Sequence, residues 1–289
     1  MGLGIAMVFL EHPEYQVTLY NRTQANLDAA PEKIRAIAES VSSTKCDLSR
    51  LKLANTVKDA VSDADFILES IAEKTDLKQQ MFAECEQYAP ATCIFASNTS
   101  VKPITLIGEN LNDKTRMIGA HWWNPPYLIP LVEVTQTEWT SAEVIQATMD
   151  LMSAIGKVPV HVKKDRPGFV ANRLQHALWR EAMYIVEAGI ADAETVDLSI
   201  KNSFGLRLSV LAPCENADMI GLEMTQDIHK VVLADLCDAK EPSPVLQQRM
   251  DEGRMGWSTG KGLYEKWTEE DKLAVRKRLI SHLVKTIPR

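Results

Sequence analysis

His121 and Glu133 are the side chains whose types and spacing are best suited to moving a proton. His121 follows an apolar run at residues 117–120, and Glu133 lies inside a second apolar run at residues 131–134. Both runs predict buried strands. A glutamate bound to one imidazole nitrogen fixes the tautomer, raises the basicity of the ring and leaves the other nitrogen free to exchange a proton. The pair therefore predicts an acid–base dyad; the alternative is a structural histidine and an unrelated strand glutamate at the surface.

The residues around this pair resemble the signature of the L-3-hydroxyacyl-CoA dehydrogenase family, which includes the L-gulonate 3-dehydrogenase and L-carnitine dehydrogenase branches. Residues 121–125 are His-Trp-Trp-Asn-Pro and residues 131–133 are Leu-Val-Glu, as in the family signature. The family's Pro-Gly-Phe-x-x-Asn-Arg and Gly-x-x-Thr-Gly-x-Gly segments follow in the same order, at residues 167–173 and 256–262. The resemblance implies reversible oxidation of an L-3-hydroxyl group to a ketone, with hydride transfer to NAD or NADP.

The resemblance also implies a role for each polar residue of these segments. His121 would take the hydroxyl proton, and Glu133 would stabilise the imidazolium that forms. Ser100 and Asn172 would hold the substrate oxygen, and Asn124 would orient the nicotinamide carboxamide. Without the resemblance, Asn172 would be only a cap or surface residue, and a plain turn or N-cap remains the alternative for Ser100.

The pattern of the chain predicts an α/β fold followed by a helical domain. Up to residue 164, short apolar runs alternate with helical stretches, which is typical of a Rossmann-type, doubly wound and mostly parallel sheet. Pro167 and Gly168 then indicate a hinge, so we expect a nucleotide-binding domain at residues 1–164 and a helical substrate-binding and dimerisation domain at 165–289. Besides the two runs above, strands are predicted at 16–20, 65–69, 93–96 and 158–162. Helices are predicted at 25–41, 77–88, 142–155, 172–187, 193–201, 218–236, 244–252 and 269–285.

The first residues resemble the end of a dinucleotide-binding fingerprint. Gly2 aligns with the third glycine of the family's motif, and Gly4 follows it, at the point where backbone N–H groups of a helix N-terminus would meet the pyrophosphate. The first strand and the first two glycines of the motif have no counterpart in this sequence. We therefore expect Met1 to be an internal methionine of a longer protein, and the chain as written to fold poorly.

The choice between NAD and NADP depends on the residues after the strand predicted at 16–20. An NAD enzyme of this fold would carry Asp or Glu there to bind the ribose hydroxyls, whereas this chain has Asn21 and Arg22. Arg22 could pair with the 2′-phosphate of NADP. The alternative is that Arg22 is a solvated loop residue and Asn21 a helix cap.

Two further segments supply candidate cofactor contacts. Residues 69–74 resemble the family's Glu-Ala-Ile-x-Glu-Asn segment, which would place Glu73 and Lys78 beside the cofactor. Asn98 and Ser100 follow the strand predicted at 93–96, at the edge of the sheet where α/β folds bind ligands. Taken alone, Glu73 and Lys78 could equally be capping or solvated residues at the start of a helix.

The substrate is either an acyl-CoA thioester or a free 3-hydroxy acid. Arg207, in a Gly-x-Arg segment like that of the gulonate and carnitine branches, could pair with a free carboxylate; it could also be an ordinary helix-end arginine. The segment at residues 215–222 instead resembles the Glu-x-x-Asp-x-x-Gly-Leu of the acyl-CoA enzymes, and we predict the thioester. A non-catalytic relative that only binds ligand is the remaining alternative.

Composition limits the possible partners. The formal net charge is -7 and no basic stripe is present, which argues against nucleic acid. No apolar run reaches about 18 residues and no basic segment opens the chain, so neither a membrane span nor a signal peptide is expected, and the cytoplasm is the expected compartment. The 5 cysteines lack metal-type spacing, so no metal site is expected. A small-molecule substrate and a homodimer are the expected partners.

Overall fold

The computed structural model describes residues 1–41, 43 and 45–286, which fall into two compact units. The first unit comprises Met1–Arg173 and the stretch that begins at Ile280, and the second comprises Leu174–Leu279. The helices of the first unit are α1 (Gly2–Leu10), α2 (Gln24–Asp28), α3 (Ala30–Ser40), α4 (Val57–Val61), α5 (Thr75–Tyr88), α6 (Ile104–Ile107) and α7 (Ala142–Ala154). Its strands are β1 (Val17–Tyr20), β2 (Leu51–Ala54), β3 (Phe66–Glu69), β4 (Ile94–Ser97), β5 (Met117–Trp122), β6 (Leu131–Gln136) and β7 (Val158–Val162).

The strands of the first unit form two sheets. One has five strands in the order β3-β4-β5-β6-β7, and only the β5–β6 pair is antiparallel. The other is the parallel pair of β1 and β2. Within the described ranges no ladder joins the two sheets, and α1 begins at Gly2. The predicted Rossmann-type, mostly parallel sheet with helices is confirmed.

Strand β5 is the buried centre of the five-stranded sheet, since every residue from Met117 to Trp122 is buried. On one face, α1 contributes Ile5 and Val8 to an apolar cluster with Ile118 and Trp122. On the other face, α5 contributes Phe82 to a cluster with Met117. Burial of a large apolar side chain stabilises a fold by about 1.5–3 kcal/mol, so these two clusters hold β5, and with it the candidate site, in a fixed position.

The second unit is helical, as predicted. It contains most of α8 (Ala171–Glu187), then α9 (Ala193–Lys201), α10 (Pro213–Ile220), α11 (Leu222–Val232), α12 (Pro244–Asp251) and the larger part of α13 (Glu269–Thr286). The single helix predicted at 218–236 is wrong, because Gly221 has a φ of 94° and separates α10 from α11. None of the helices in the described part of the chain is long and apolar enough to span a membrane.

Three other element predictions needed correction in the first unit. The helix predicted at 25–41 is two helices, since Pro31 opens a new helix, α3, immediately after α2. Strand β2 and the short helices α4 and α6 were not predicted, whereas helix α1 was implied by the resemblance of the first residues to a fingerprint. Strand β5 runs to Trp122, so His121 lies inside the strand and not after its end.

Candidate active site

The antiparallel pairing of β5 and β6 brings His121 and Glu133 together. The two residues are directly opposite in the register, and side chains at such positions are neighbours on one face of the sheet. His121 Nδ1 lies 2.9 Å from Glu133 Oε2. Both residues are buried, His121 at 4% exposure and Glu133 at 0%. The predicted contact between histidine and glutamate is therefore present in the structure.

The carboxylate of Glu133 is surrounded by donors. Its Oε1 accepts hydrogen bonds from the backbone N–H groups of Val170 and Ala171, each at 2.9 Å. Its Oε2 also accepts a longer bond of 3.4 Å from Trp123 Nε1. Burial by itself would raise the pKa of Glu133, but the hydrogen bonds from His121, Ala171 and Val170 outweigh it and hold the pKa below its ordinary value. Glu133 is therefore a carboxylate at neutral pH.

An ionised carboxylate only accepts hydrogen bonds, so the proton of neutral His121 lies on Nδ1. Nε2, the other ring nitrogen, has no hydrogen-bond partner among the residues that the structure describes. The ring lies against two aromatic side chains, with centroid distances of 5.5 Å to Trp123 and 5.7 Å to Phe169. This arrangement leaves Nε2 with a free lone pair that can take a proton from a ligand.

The turn before α8 supplies the N–H groups that hold Glu133. Gly168 has a φ of 75° and Phe169 a φ of 47°, both in the left-handed region, which is unusual for phenylalanine. Phe169 is 3% exposed, so its ring is anchored while the backbone turns. The next two N–H groups, at the start of α8, then point at Glu133, and a helix N-terminus favours negative charge.

Asn172 and Ser100 are also brought together. Asn172 is 8% exposed, and its Nδ2 donates a 2.9 Å hydrogen bond to the backbone oxygen of Ser100. The Ser100 side chain is exposed, and its hydroxyl has no partner in the described part of the chain. Asn172 belongs to the same helical turn as Ala171, which binds Glu133. The first turn of α8 therefore connects the dyad to the Ser100 turn.

A buried network of charged side chains around Lys78 holds the turn that carries Ser100. Lys78 is 1% exposed, and its ammonium lies 2.8 and 2.9 Å from the two oxygens of Glu69 and 3.1 Å from Glu73 Oε2. Ser97 donates a 2.7 Å hydrogen bond to Glu69, and Ser100 N donates one of 3.2 Å to Glu73. The three N–H groups of Lys78 are thus taken by carboxylate oxygens. Its direct contact with a cofactor remains a prediction.

Glu73 is the exposed member of this network. Its Oε1 accepts from the hydroxyl of Thr99 as well as from Ser100 N. Burial by itself would raise the pKa of Glu73. The hydrogen bond from the Thr99 hydroxyl and the charge of the Lys78 ammonium lower it by more, so the pKa lies below its ordinary value. Glu73 is therefore an anion whose side chain is 38% exposed, and it is positioned to accept hydrogen bonds from a ligand.

The start of α1 offers a site for a negatively charged group. Met1 provides no side-chain cap for this helix, and the first N–H groups of a helix have no intrahelical acceptor. A Cβ placed on Gly2 would meet only Ser70 Cβ, at 3.9 Å, whereas one on Gly4 would lie 2.7 Å from Pro126 Cγ. Gly4 therefore allows α1 to pack against Pro126, and Gly2 keeps the helix start open. The described residues fit a dinucleotide pyrophosphate at this point.

Asn21 and Arg22 follow β1. Asn21 Oδ1 accepts a 2.9 Å hydrogen bond from Thr23 N, so it orders the turn before α2. Arg22 is exposed and has no carboxylate partner in the described ranges. Its guanidinium is free to meet a phosphate. NADP specificity remains a prediction.

Asn98 and Asn124 differ in how they are held. Asn98 Oδ1 accepts from Trp122 N at 2.7 Å, and Asn98 Nδ2 donates to Ser70 Oγ at 3.2 Å, so this amide ties the ends of three strands together. Asn124 is exposed, and no side-chain partner is found for it in the part of the chain described. Its amide is available to a ligand, while that of Asn98 is already occupied on both sides.

The loop that carries Asn124 is fixed by a lysine that sequence reasoning missed. Lys157 Nζ donates to the carbonyl oxygens of Pro126 and, at 3.1 Å, Ile129, and it lies 5.1 Å from the centroid of the Trp122 ring. Burial lowers the pKa of Lys157 to about 8.

Glu69 was missed as well, although a carboxylate ending an apolar strand run was a visible signal. The backbone N–H donors of Val170 and Ala171 cannot be recognised from the sequence, because every residue except proline has such a donor.

Arg207 lies in the second unit, directly after a short 3-10 turn at Phe204–Leu206. It is exposed and forms no salt bridge within the described residues. Its predicted contact with a substrate carboxylate remains a prediction. No group of three metal-ligating side chains occurs in the described ranges.

Comparisons with known proteins agree with this geometry. Residues 1–166 match the family model of the 3-hydroxyacyl-CoA dehydrogenase NAD-binding domain, and residues 168–266 match that of the C-terminal domain. The chain is 32% identical over 270 residues to a 5-formyl-3-hydroxy-2-methylpyridine 4-carboxylate 5-dehydrogenase of Mesorhizobium japonicum, which covers 91% of this chain and 87% of that protein. It is 34% identical over 274 residues to a probable 3-hydroxybutyryl-CoA dehydrogenase of Bacillus subtilis, covering 92% and 93%. A crystal structure of the pyridine carboxylate dehydrogenase, described as an NAD+-dependent dismutase, superimposes with a TM-score of 0.89 and 30% identity, over 99% of this chain and 93% of that one.

Proposed function

The chain belongs to the 3-hydroxyacyl-CoA dehydrogenase family and is an NAD- or NADP-dependent oxidoreductase, and we propose that it reversibly oxidises an L-3-hydroxyacyl-CoA to the 3-oxoacyl-CoA. The observation that carries the proposal is the buried pair of His121 and Glu133, with His121 Nδ1 bonded to the carboxylate at 2.9 Å and Nε2 unpartnered in the described structure. Such a pair is suited to removing a proton from a hydroxyl group.

In the proposed reaction, His121 Nε2 accepts the proton of the substrate hydroxyl. The ring then carries a positive charge next to the carboxylate of Glu133, which stabilises it at 2.9 Å in a buried environment. A bound nicotinamide supplies the hydride acceptor. In the reverse direction the same nitrogen returns the proton. Because Glu133 is held by Val170 and Ala171, the imidazole keeps one orientation throughout.

We assign the substrate oxygen to Ser100 and Asn172. The Ser100 hydroxyl is free and exposed, and the second N–H of the Asn172 amide remains available after the bond to the Ser100 carbonyl. Asn124, which is exposed and three residues after His121 in the sequence, would hold the nicotinamide carboxamide. These roles follow the family resemblance, and the contacts described above support them.

For the cofactor, we propose that Gly2 opens the helix start to the pyrophosphate and that Arg22 contacts the adenosine ribose or its phosphate. Glu73 would accept a hydrogen bond from the nicotinamide ribose. Lys78 would act mainly by fixing Glu73, since its own N–H groups are occupied. On this view the first domain, at residues 1–164, binds the nucleotide, and the domain at 165–289 binds the substrate.

A free hydroxy acid is the second candidate substrate. The specific observation in its favour is the similarity to a dehydrogenase whose named substrate is a free pyridine carboxylate and not a thioester, which holds over 99% of the chain in the structural comparison. Arg207, exposed and without an ion-pair partner in the described part, could then bind the carboxylate. A chain that binds ligand without turnover is a third outcome, which the assay below distinguishes.

We further propose that the second unit pairs with another copy of the chain. It exposes many large apolar side chains, including Leu206 at 71%, Val210 at 81% and Val231 at 74%. Monomeric proteins rarely expose a large contiguous apolar surface, and homodimer interfaces are rich in such residues. Sedimentation equilibrium should give a dimer; a monomer at micromolar concentration would exclude this proposal.

The proposed function is tested by measuring the formation of reduced cofactor from a panel of 3-hydroxyacyl-CoAs and free 3-hydroxy acids, each with NAD and NADP. The proposal predicts turnover of the thioesters that is lost in His121→Gln. Turnover of free acids alone would identify the second candidate. Tight cofactor binding without turnover of any compound would indicate the ligand-binding alternative.

A further inference from the structure

Lys157 is a partly buried cation whose partners are backbone carbonyl groups and an aromatic ring. It lies between α7 and β7, and its Nζ donates hydrogen bonds to the oxygens of Pro126 and, at 3.1 Å, Ile129. The same Nζ lies 5.1 Å from the centroid of the Trp122 ring. Within the described residues, no carboxylate forms an ion pair with it. Withdrawing an ammonium from water is unfavourable unless it is hydrogen-bonded, so Lys157 and the segment that it binds stabilise each other.

The segment that Lys157 binds is the loop between β5 and β6, at residues 123–130. The carbonyl oxygen of Pro125 accepts hydrogen bonds from Leu128 N at 3.1 Å and Ile129 N at 3.0 Å, so this part of the loop is folded on itself. Pro130 O accepts from Val158 N at 2.9 Å, at the start of β7. The two bonds from Lys157 therefore fasten a compact turn to the end of the sheet.

Pro126 also contacts helix α1. A Cβ placed on Gly4 would lie 2.7 Å from Pro126 Cγ and 3.1 Å from Tyr127 Cδ1, so the helix and the loop are closely packed at this point. Helix α1 is itself fixed in the core, since Met7 is 2% exposed and Leu10 is 0% exposed. Pro126 is therefore held from two sides, by α1 at its ring and by Lys157 at its carbonyl oxygen.

Asn124 lies two residues before Pro126, in the same loop. Its side chain is exposed, and it has no hydrogen-bond partner in the part of the chain that the structure describes. Ordering a mobile segment when a ligand binds costs conformational entropy. A loop that is already fastened at Pro126 avoids much of this cost, so the affinity that Asn124 provides depends on how firmly Lys157 holds the loop.

We propose that Lys157 is a positioning residue for the cofactor, which holds the loop so that the amide of Asn124 meets the carboxamide of the nicotinamide. The inference rests on the role proposed for Asn124, and it does not depend on which hydroxyl compound is the substrate. Lys157 itself does not touch the cofactor in this account. Its effect is therefore confined to the nicotinamide end of the dinucleotide.

The charge of Lys157 gives the proposal a readout that an uncharged packing residue would lack. Burial lowers the pKa of Lys157 to about 8, although the charge of Glu11 at the end of α1 acts in the opposite direction. In the loop, Tyr127 is the one titratable residue, and His121 of β5 lies on the opposite face of the strand from Trp122. Charge-assisted hydrogen bonds are roughly twice as strong as neutral ones. As the pH rises through about 8, Lys157 loses its proton, and its hold on the loop should weaken.

The test is a calorimetric titration of the full chain with two ligands. The first is NADH or NADPH, whichever binds the wild type more tightly, and the second is the matching nucleotide without nicotinamide, ADP-ribose or its 2′-phosphate. The variants are Lys157→Met, Lys157→Arg, Asn124→Ala and the double variant Lys157→Met/Asn124→Ala. The matched control is Lys58→Met, which removes an exposed lysine of α4 that has no ion-pair partner among the described residues.

At neutral pH we expect Lys157→Met to raise the Kd of the reduced dinucleotide by about 3- to 10-fold, the effect of one lost hydrogen bond. The Kd of the nicotinamide-free nucleotide should change less than about twofold, because α1 stays in place. The double variant should bind no more weakly than Asn124→Ala alone, and Lys58→Met should bind like the wild type. Multiplying losses, an equal loss for both ligands, or an unchanged Kd in Lys157→Met or Asn124→Ala would overturn the inference.

A pH series keeps the test decisive even if Lys157→Met does not fold. From about pH 7 to about pH 9.5, the Kd of the reduced dinucleotide should rise in the wild type and stay nearly constant in Lys157→Arg, because a guanidinium keeps its charge. A flat wild-type curve, or parallel curves for the two proteins, would overturn the inference. Turnover is measured separately: a wild type that binds the dinucleotide but oxidises no thioester would contradict the proposed function and leave the binding test of Lys157 intact.

Discussion

The substitution Glu133→Gln preserves the volume of the side chain but changes the hydrogen bond that His121 must make. With glutamate, Nδ1 of His121 donates; with glutamine, Nδ1 would have to accept. Glu133 accepts hydrogen bonds at both oxygens, from Val170 and Ala171 at Oε1 and from His121 and Trp123 at Oε2. A glutamine offers one oxygen and one NH2 group. If the oxygen stays with the two backbone N–H groups, the NH2 group faces Nδ1, which must then accept. The ring proton moves to Nε2, the atom that would have received the substrate proton.

The magnitude follows from two losses. In the productive tautomer, the Nδ1–H group of His121 would face the NH2 group of the glutamine, so that two donors meet in a buried site. An unsatisfied buried group costs about 1–3 kcal/mol. The charge-assisted hydrogen bond to the imidazolium is also lost, and a hydrogen bond to a charged group contributes about 1.5–3 kcal/mol. Since about 1.4 kcal/mol corresponds to a tenfold change in rate, we expect turnover to fall by roughly 10²–10⁴-fold.

The assay is the initial rate of reduced-cofactor formation with saturating thioester substrate, combined with a titration of cofactor binding. We expect cofactor affinity to change little and the variant to stay folded, because the two backbone hydrogen bonds to residue 133 are kept. Glu14→Gln, at an exposed position, is the matched control and should keep full activity. A folded Glu133→Gln enzyme with more than about a third of the wild-type turnover would refute the assigned tautomer, since the two losses above predict roughly 10²-fold or more.

Three further predictions concern the cofactor and the buried charges. Arg22→Ala should weaken NADP binding by roughly tenfold and leave NAD binding almost unchanged, because only NADP carries the 2′-phosphate that a guanidinium can bind; calorimetric titration with both cofactors measures this, and equal losses would remove Arg22 from the site. Lys78→Met should destabilise the fold by about 3–5 kcal/mol, because it leaves the buried carboxylate of Glu69 unpaired, and denaturant unfolding measures it; loss of cofactor binding with unchanged stability would contradict the structural role. The pKa values of Glu133 and Glu73 lie below the ordinary 4.5 in the folded state. The stability that the two carboxylates provide should therefore be complete above about pH 4.5 and disappear as the pH falls through the lower folded pKa values. Glu133→Gln should make the free energy of unfolding depend less on pH in this acid range, and an unchanged dependence would argue against the shift in Glu133.

The contact of His121 with Glu133 was predicted from the two residue types, the two apolar runs and the family resemblance. The antiparallel pairing that places the two residues opposite each other was not predicted and comes from the structure. The N–H groups of Val170 and Ala171 could not be predicted. They reach Glu133 through a turn with two left-handed residues, Gly168 and Phe169, and the phenylalanine gives no local signal for that conformation. Backbone donors of this kind depend on the tertiary fold.

The buried network under Ser100 shows a second limit. The family resemblance predicted Lys78 beside the cofactor, and the alternative was a capping or solvated residue at a helix start, yet Lys78 is 1% exposed and held by Glu69. Which carboxylate meets which ammonium depends on the packing of α5 against the sheet. In the second unit, the end of α10 at Gly221 was missed because apolar residues continue on both sides of this glycine. The positive φ of Gly221, which ends the helix, does not show in that pattern.

The central claim is that His121 and Glu133 act as one proton-transfer unit, and a double-mutant cycle tests it most directly. Turnover of a thioester substrate is measured for His121→Gln, Glu133→Gln and the double variant, with cofactor affinity as the control for folding. If Glu133 acts through His121, the double variant should be about as slow as His121→Gln alone, at roughly 10²–10⁴-fold below the wild type. Losses that multiply, so that the double variant falls by the product of the two single effects, would contradict the dyad.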